Sequence, residues 1–172
     1  MKFLAIAGAL LALSPGFTPA HADDFQDKVM ALGGRDCKDS TLTCVDIEVP
    51  TDHAHPDSGR HLTLHVAVHF AEDESKGVMF YAVGGPGGAG TALAQSYLDS
   101  FDARLRKELD VVFFDQRGVG AKNGVDCPKA ATAFDSDPIA LQQPDRAVAV
   151  AKGFVDACLK EISNRDLLPY LG

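Results

Sequence analysis

At 172 residues, with 16 basic and 24 acidic side chains and a net charge of −8, the chain is acidic and long enough for one domain with a substantial core. That balance disfavours nucleic acid or an anionic membrane surface as a partner. It selects no substrate.

Lys2, the apolar run Phe3 to Leu13 and the small-x-small pattern Ala20-His21-Ala22 read as a signal peptide, residues 1–22, cleaved after Ala22. An 11-residue apolar run is too short to cross a bilayer as a helix. No Arg-Arg pair precedes it and no Cys stands at the cleavage point, so neither the twin-arginine route nor a membrane anchor is expected. The expected location is periplasmic or secreted. Cleavage removes Lys2 alone among the charged residues, which leaves 150 residues, 23–172, with 15 basic and 24 acidic side chains and a net charge of −9.

Four cysteines, Cys37, Cys44, Cys127 and Cys158, remain in a chain that leaves the reducing cytosol, and disulfides are expected. Three connectivities are possible. The favoured one joins Cys37 to Cys44 across a short local loop and Cys127 to Cys158 as a staple between a Gly-rich loop and a helix. A zinc site is the rival, but no pair has C-x-x-C spacing.

From Asp23 to Ser40 the chain reads as polar and irregular. Cys44 to Pro50 alternates as a half-buried strand ended by proline, and Thr51 to Arg60 is a turn-rich connector. His61 to Phe70 is a second strand, with Leu62, Leu64, Val66, Val68 and Phe70 on one face and His61, His65 and His69 on the other. After a charged turn at 71–76, Gly77 to Val83 is a continuous apolar run of the kind buried on both faces in a parallel sheet. Leu93, Tyr97, Phe101 and Leu105 mark one stripe of a helix, and Leu109 to Asp115 is another buried strand. Strand, helix, strand is a βαβ unit, which predicts an α/β fold with a mostly parallel sheet flanked by helices. A loop through Pro128 and Pro138 leads to a last helix capped by Asp145, with the stripe Val148, Ala151, Val155, Cys158 and Ile162. Asn164 to Gly172 is the exit from it.

The glycines between the third strand and its helix, Gly85-x-Gly87-x-x-Gly90, admit several chemistries. A phosphate-cradling P-loop needs lysine where Thr91 stands. A dinucleotide site fits the glycine spacing, with Asp115 as the ribose-binding acid. That acid lies 25 residues past Gly90, beyond the usual interval, and two strands precede the unit. An oxyanion hole needs backbone N–H groups aimed at a developing negative charge in an open loop, which makes Gly85 the donor, with Gly84 or Gly87 second. A strand-to-helix turn without chemistry is the plainest alternative.

Val83-Gly-Gly-Pro-Gly-Gly88 followed by Val111-Val-Phe-Phe-Asp-Gln-Arg-Gly-Val-Gly120 resembles the secreted α/β-hydrolase peptidases of the proline iminopeptidase and prolyl tripeptidyl aminopeptidase group. The resemblance runs from Cys44 to the helix around Cys158. It implies that Gly84 to Gly87 form the oxyanion loop and that Asp115, Gln116, Arg117 and Gly118 form a supporting turn beside the active site, Asp115 and Arg117 holding the loop by side-chain hydrogen bonds. The chain departs from the family pattern at Lys122 and at Ala82-Val83.

Members of such a family carry serine in a G-x-S-x-G elbow, followed by the acid and histidine of the triad. None of the serines here has that context. The expectation is therefore the N-terminal part of an α/β-hydrolase domain, carrying half an oxyanion hole and no triad member. Such a piece is inactive alone, partnered by the missing C-terminal part, and without cofactor or metal. Its substrate would be a peptide or, in an esterase or lipase of the same framework, a small ester. A non-catalytic exported binding module is the other class. His53-Ala-His55-Pro-Asp57 resembles part of a zinc-hydrolase motif, but Ser58 replaces its closing histidine. His61, His65 and His69 lie roughly 13 Å apart along a strand, too far to share one metal.

Overall fold

A computed structural model describes residues 22–85, 87–136 and 142–171. The signal peptide read at 1–22 lies outside these apart from Ala22, and so do Pro86 and Pro138. In chain order the elements are α1 (Ala22–Ala31), β1 (Arg35–Asp36), β2 (Thr43–Pro50), β3 (His61–His69), β4 (Val78–Tyr81), α2 (Ala94–Ser100), α3 (Ala103–Glu108), β5 (Asp110–Phe114), α4 (Gly120–Asn123), α5 (Pro128–Asp135) and α6 (Pro144–Glu161). Short 3-10 turns occupy Pro56–Ser58 and Arg165–Tyr170.

The strands form one sheet in the order β1-β2-β3-β5-β4. Period-two alternation fixes its central register, with Val45 opposite Val66 and Val68 opposite Val112. Only β4 and β5 run parallel; the other pairings are antiparallel. The class is α/β as expected, but the sheet is mixed rather than mostly parallel. Short connectors before β4 force antiparallel neighbours, whereas the helical crossover between β4 and β5 permits a parallel pair.

Each sheet face has its own core. On one face Cys44, Ala67, Val111 and Phe113 pack under Leu42, Ala94 and Leu98. The Tyr81 ring lies 5.1 Å from Tyr97, 5.2 Å from Phe101 and 5.6 Å from Phe113. On the other face α1 sets Val29 and Phe25 against Val45, Val66, Val68 and Val112, with Phe25 edge-on to Phe70 at 6.2 Å.

Several expectations are corrected here. The segment read as irregular from Asp23 to Ser40 contains α1 and β1, because Phe25 and Val29, four apart, supply a stripe that the sheet buries. The single helix read through Leu93 and Leu105 is two, α2 and α3. Phe101 leaves the helical conformation, and the Asp102 carboxylate accepts from the Arg104 N–H as the cap of α3. β4 is half-buried, and on one face only: Met79 and Tyr81 pack inward, while Val78 is 40% and Phe80 68% exposed. The loop read through Pro128 is helical, with that proline in the first turn of α5. Asp145 is not the cap of α6 but lies in its first turn, behind Pro144. The α6 stripe is largely open, with Val148 74% and Val155 50% exposed. α6 holds α5 instead through the Phe134–Phe154 ring pair at 5.1 Å, a disulfide, and the Glu161 carboxylate, which accepts from the Lys129 and Ala130 N–H groups at 3.0 Å each.

Both favoured disulfides are present, Cys37–Cys44 and Cys127–Cys158. All four thiols are consumed, so none is left for a metal.

Candidate active site

β4 delivers the chain to the glycine turn at the carboxyl end of the parallel pair, where ligands meet open α/β sheets. Gly85 (φ +92°) and Gly87 (φ +80°) both adopt the left-handed conformation, and the Gly88 N–H donates to the Gly85 carbonyl at 3.1 Å. A Cβ on Gly84, Gly85 or Gly87 would meet nothing within 4 Å, and all three residues are exposed. Gly90 differs. It is buried, and a Cβ there would lie 2.2 Å from the Phe114 carbonyl oxygen. Backbone shape thus requires glycine at 85 and 87, and contact with the end of β5 requires it at 90.

Asp115 holds this loop in place. It is 4% exposed, and its backbone N–H donates to the His65 carbonyl at 2.9 Å, fastening the end of β5 to β3. Its carboxylate accepts from the Thr91 N–H at 2.9 Å and lies 2.9 and 3.0 Å from the Thr91 hydroxyl, which donates to it. A carboxylate spent in this way on its own loop is not presented to a ribose hydroxyl, which the dinucleotide reading requires.

The turn after Asp115 closes over the carboxylate. The Val119 N–H donates to the Gln116 carbonyl at 3.1 Å; Gly118 (φ +77°) abuts the Leu171 side chain, and a Cβ on Gly120 (φ +79°) would lie 2.0 Å from Asp115 Oδ2. Arg117 Nη1 donates to the buried Thr51 carbonyl at 3.4 Å, and Gln116 is exposed beside it. The structure therefore brings Asp115 and Gly120 against the segment that follows the glycine loop, while Arg117 ties the turn to the end of β2.

A cleft of about 480 Å³ opens beside this anchor, with Thr91, Gln95, His65 and Asp115 in its walls. The Cys37–Cys44 disulfide also lines it. Gln95 Oε1 accepts from the Thr41 N–H at 2.9 Å and from its hydroxyl at 3.1 Å, clasping the disulfide loop to α2. In the sequence Thr91 stands out only as the residue in place of a P-loop lysine, and Gln95 not at all. Their partners lie 24 and 54 residues away, and no local pattern marks them.

On the same face His65 Nδ1 lies 2.6 Å from Asp46 Oδ1, while Arg35 and Lys122 approach Asp46 Oδ2 at 2.9 and 3.4 Å. The His65 hydrogen bond, aided by Arg35 and by the nearby positive charges, pulls the Asp46 carboxyl down to about 2. The three strand histidines have separate fates: His65 pairs with Asp46, His69 Nε2 meets the Arg106 carbonyl at 2.8 Å, and His61 is exposed. His55 Nδ1 lies 2.9 Å from Asp52, whose carboxylate also accepts from the N–H groups of Ala54 and His55 in a surface turn. Among the described residues no three His, Cys, Asp or Glu side chains are arranged to hold a metal ion.

No family model matches the chain. It is similar to tripeptidyl aminopeptidases. That of Streptomyces lividans is 26% identical over 140 residues, covering 76% of this chain and 26% of the relative. That of Streptomyces coelicolor is also 26% identical over 140 residues, covering 76% of this chain and 25% of the relative. The chain thus spans about a quarter of the length of these curated relatives. The similarity supports a relationship to peptidases.

Proposed function

We propose that this chain is the N-terminal part of an exported serine peptidase of the α/β-hydrolase type, one that releases short N-terminal residues or peptides. Its contribution to the reaction is the oxyanion loop. The backbone N–H of Gly85, with Gly84 or Gly87 as second donor, stabilises the negative charge that develops on the scissile carbonyl oxygen when a serine attacks it. The serine, its histidine base and the orienting carboxylate come from polypeptide outside residues 1–172, so the chain alone has no turnover. Export follows from the signal peptide at 1–22 and fits the two disulfides.

The observation that carries this reading is the state of the glycine loop. Its left-handed Gly85 and Gly87 face open space, while its far end is fixed by the buried Asp115–Thr91 contact. An oxyanion site needs such amides, placed before the reaction and reachable by substrate. The similarity to tripeptidyl aminopeptidases supports a peptide as the substrate.

A fluorophosphonate probe tests it. Expected is covalent labelling of a serine outside residues 1–172 when the complete protein is treated, with none on the purified 172-residue chain. Labelling of this chain alone, or of neither, overturns the assignment.

A further inference from the structure

Asn123 and Gly124, where α4 ends, carry a chemistry that the glycine loop does not use. An asparagine side chain is open to attack by the next backbone nitrogen, and most so before glycine, where no side chain shields that nitrogen. The glycine cannot be exchanged here. A Cβ on Gly124 would lie 2.5 Å from the Gly120 carbonyl oxygen and 3.0 Å from Asp126 Oδ2. The one other asparagine of the chain, Asn164, precedes Arg165.

The folded chain guards this pair. Asn123 is the last residue of α4, and a helical ψ turns the Gly124 nitrogen out of the plane in which it would meet Asn123 Cγ. The same nitrogen donates its hydrogen to the Gly120 carbonyl at 2.9 Å, and Asn123 Nδ2 donates to the Thr63 carbonyl of β3. The Val125 N–H, on the Gly118 carbonyl at 3.0 Å, closes the turn below them. The guard is thin, however. α4 has four residues and buries none of them, and its Lys122 reaches Asp46 at 3.4 Å with half of its side chain exposed. A short turn with so little buried surface belongs to the low-stability end of a fold, where local opening precedes global unfolding.

We infer that Asn123 is a deamidation site gated by the opening of α4. In the opened turn the Gly124 nitrogen attacks Asn123 Cγ, and the new C–N bond closes a five-membered succinimide. The Cγ–Nδ2 bond breaks, and the side-chain nitrogen leaves as ammonia with the proton given up by Gly124. Water then opens the ring at either carbonyl, which leaves aspartate or isoaspartate at 123. No oxidant, reductant or partner is consumed. Neither product restores the closed turn. A carboxylate has no hydrogen for the Thr63 carbonyl, which loses its partner, and it brings negative charge to Thr63, whose hydroxyl already donates to Glu48. α4 begins at Gly120, which abuts the carboxylate of Asp115, so an open turn loosens the group that holds Thr91. Deamidation thus retires the oxyanion loop with age. That consequence rests on the peptidase reading, whereas the modification itself does not.

The test incubates the complete protein in mildly alkaline buffer made with heavy-oxygen water, with and without urea, and maps peptides by mass spectrometry. Expected is one heavy oxygen gained at position 123 in the folded protein, about tenfold or more slower than in urea, with Asn164 intact in both. Ala121→Gly, an exposed change inside α4, should speed conversion of the folded protein about fivefold and leave the rate in urea unaltered. No conversion at 123 in the folded protein, equal rates with and without urea, equal conversion of Asn164, or a folded rate indifferent to Ala121→Gly each overturns the inference. Asn123→Asp reproduces one product and should slow fluorophosphonate labelling of the complete protein several-fold; labelling at the wild-type rate would overturn the link to the loop. The two readings fail separately, because a wild-type protein that takes no label removes the peptidase assignment and leaves the mass measurement standing.

Discussion

The contact between Gly120 and Asp115 gives a quantitative test of how the glycine loop is held. Alanine at 120 would place its Cβ 2.0 Å from Asp115 Oδ2 and 2.6 Å from Cγ, so the carboxylate must move. Moving it strands the Thr91 N–H, which it receives at 2.9 Å. An unsatisfied buried donor costs about 1–3 kcal/mol. The left-handed φ of +79° adds its own penalty for a side chain, about 1–2 kcal/mol. Gly120→Ala should therefore destabilise by roughly 2–5 kcal/mol. In an Asp115→Ala background the carboxylate contacts and the anchor are gone, and only a Cβ–Cβ approach of 3.0 Å remains, so the same change should cost mainly the backbone part, about 1–2 kcal/mol. The double-mutant cycle should then show a coupling of about 1–3 kcal/mol, read from urea titrations followed by far-ultraviolet circular dichroism. Additivity within about 0.5 kcal/mol would refute the claim that Gly120 matters through the Asp115–Thr91 anchor.

Other expectations follow from the same geometry. Asp46, held down at about 2, favours the folded chain at any pH above the ordinary aspartate range, and that contribution disappears as pH falls from about 4 to about 2. Because the carboxylate is partly exposed, the loss should be about 1–2 kcal/mol. Asp46→Asn should flatten the acid limb of a stability-versus-pH curve, and an unchanged limb would exclude Asp46 as its source. Gly85→Ala, at φ +92° with open space around it, should cost the fold only about 1–2 kcal/mol. In the complete protein alanine keeps the Gly85 N–H, so fluorophosphonate labelling should slow only as far as the strained φ turns that amide aside, by less than the roughly 10²-fold of losing an oxyanion donor outright. Gly84→Ala, with ordinary φ and nothing within 4 Å, should leave stability within about 0.5 kcal/mol of wild type in the same titration. Replacing Cys127 and Cys158 by alanine opens a 31-residue separation and should cost about 3–4 kcal/mol. The loss should appear as faster thermolysin cleavage within α5 and α6, and unchanged cleavage would show that the Phe134–Phe154 pair and the Glu161 carboxylate on the Lys129 and Ala130 N–H groups suffice to hold the hairpin.

Much of this architecture is legible locally, and what is not has a physical cause. Alternation in 44–50 and 61–70 placed β2 and β3, because one apolar face of each meets a core. The apolar run around Val78 to Tyr81 marked a strand but not its exposure. Composition cannot say whether Phe80 has a neighbour. The four-residue recurrence of Leu93, Tyr97, Phe101 and Leu105 is genuine for Tyr97 and Phe101, which pack on Tyr81, yet it bridges a break at Asp102 that capping chemistry makes. For the site, the left-handed glycines follow from residue type. The partner of Asp115 does not, since Thr91 comes within reach only once β4, α2 and β5 have folded together.

The clasp between Gln95 and Thr41 links two events that the chain keeps far apart in sequence. The loop it grips is closed by the Cys37–Cys44 bond, and the helix it belongs to begins three residues after Thr91. Thiol chemistry at the amino-terminal end thereby steadies the shelf from which the glycine amides project. Oxidation of Cys37 and Cys44 is therefore expected to steady the glycine loop as well as the fold, and a reductant to loosen that loop before the sheet melts.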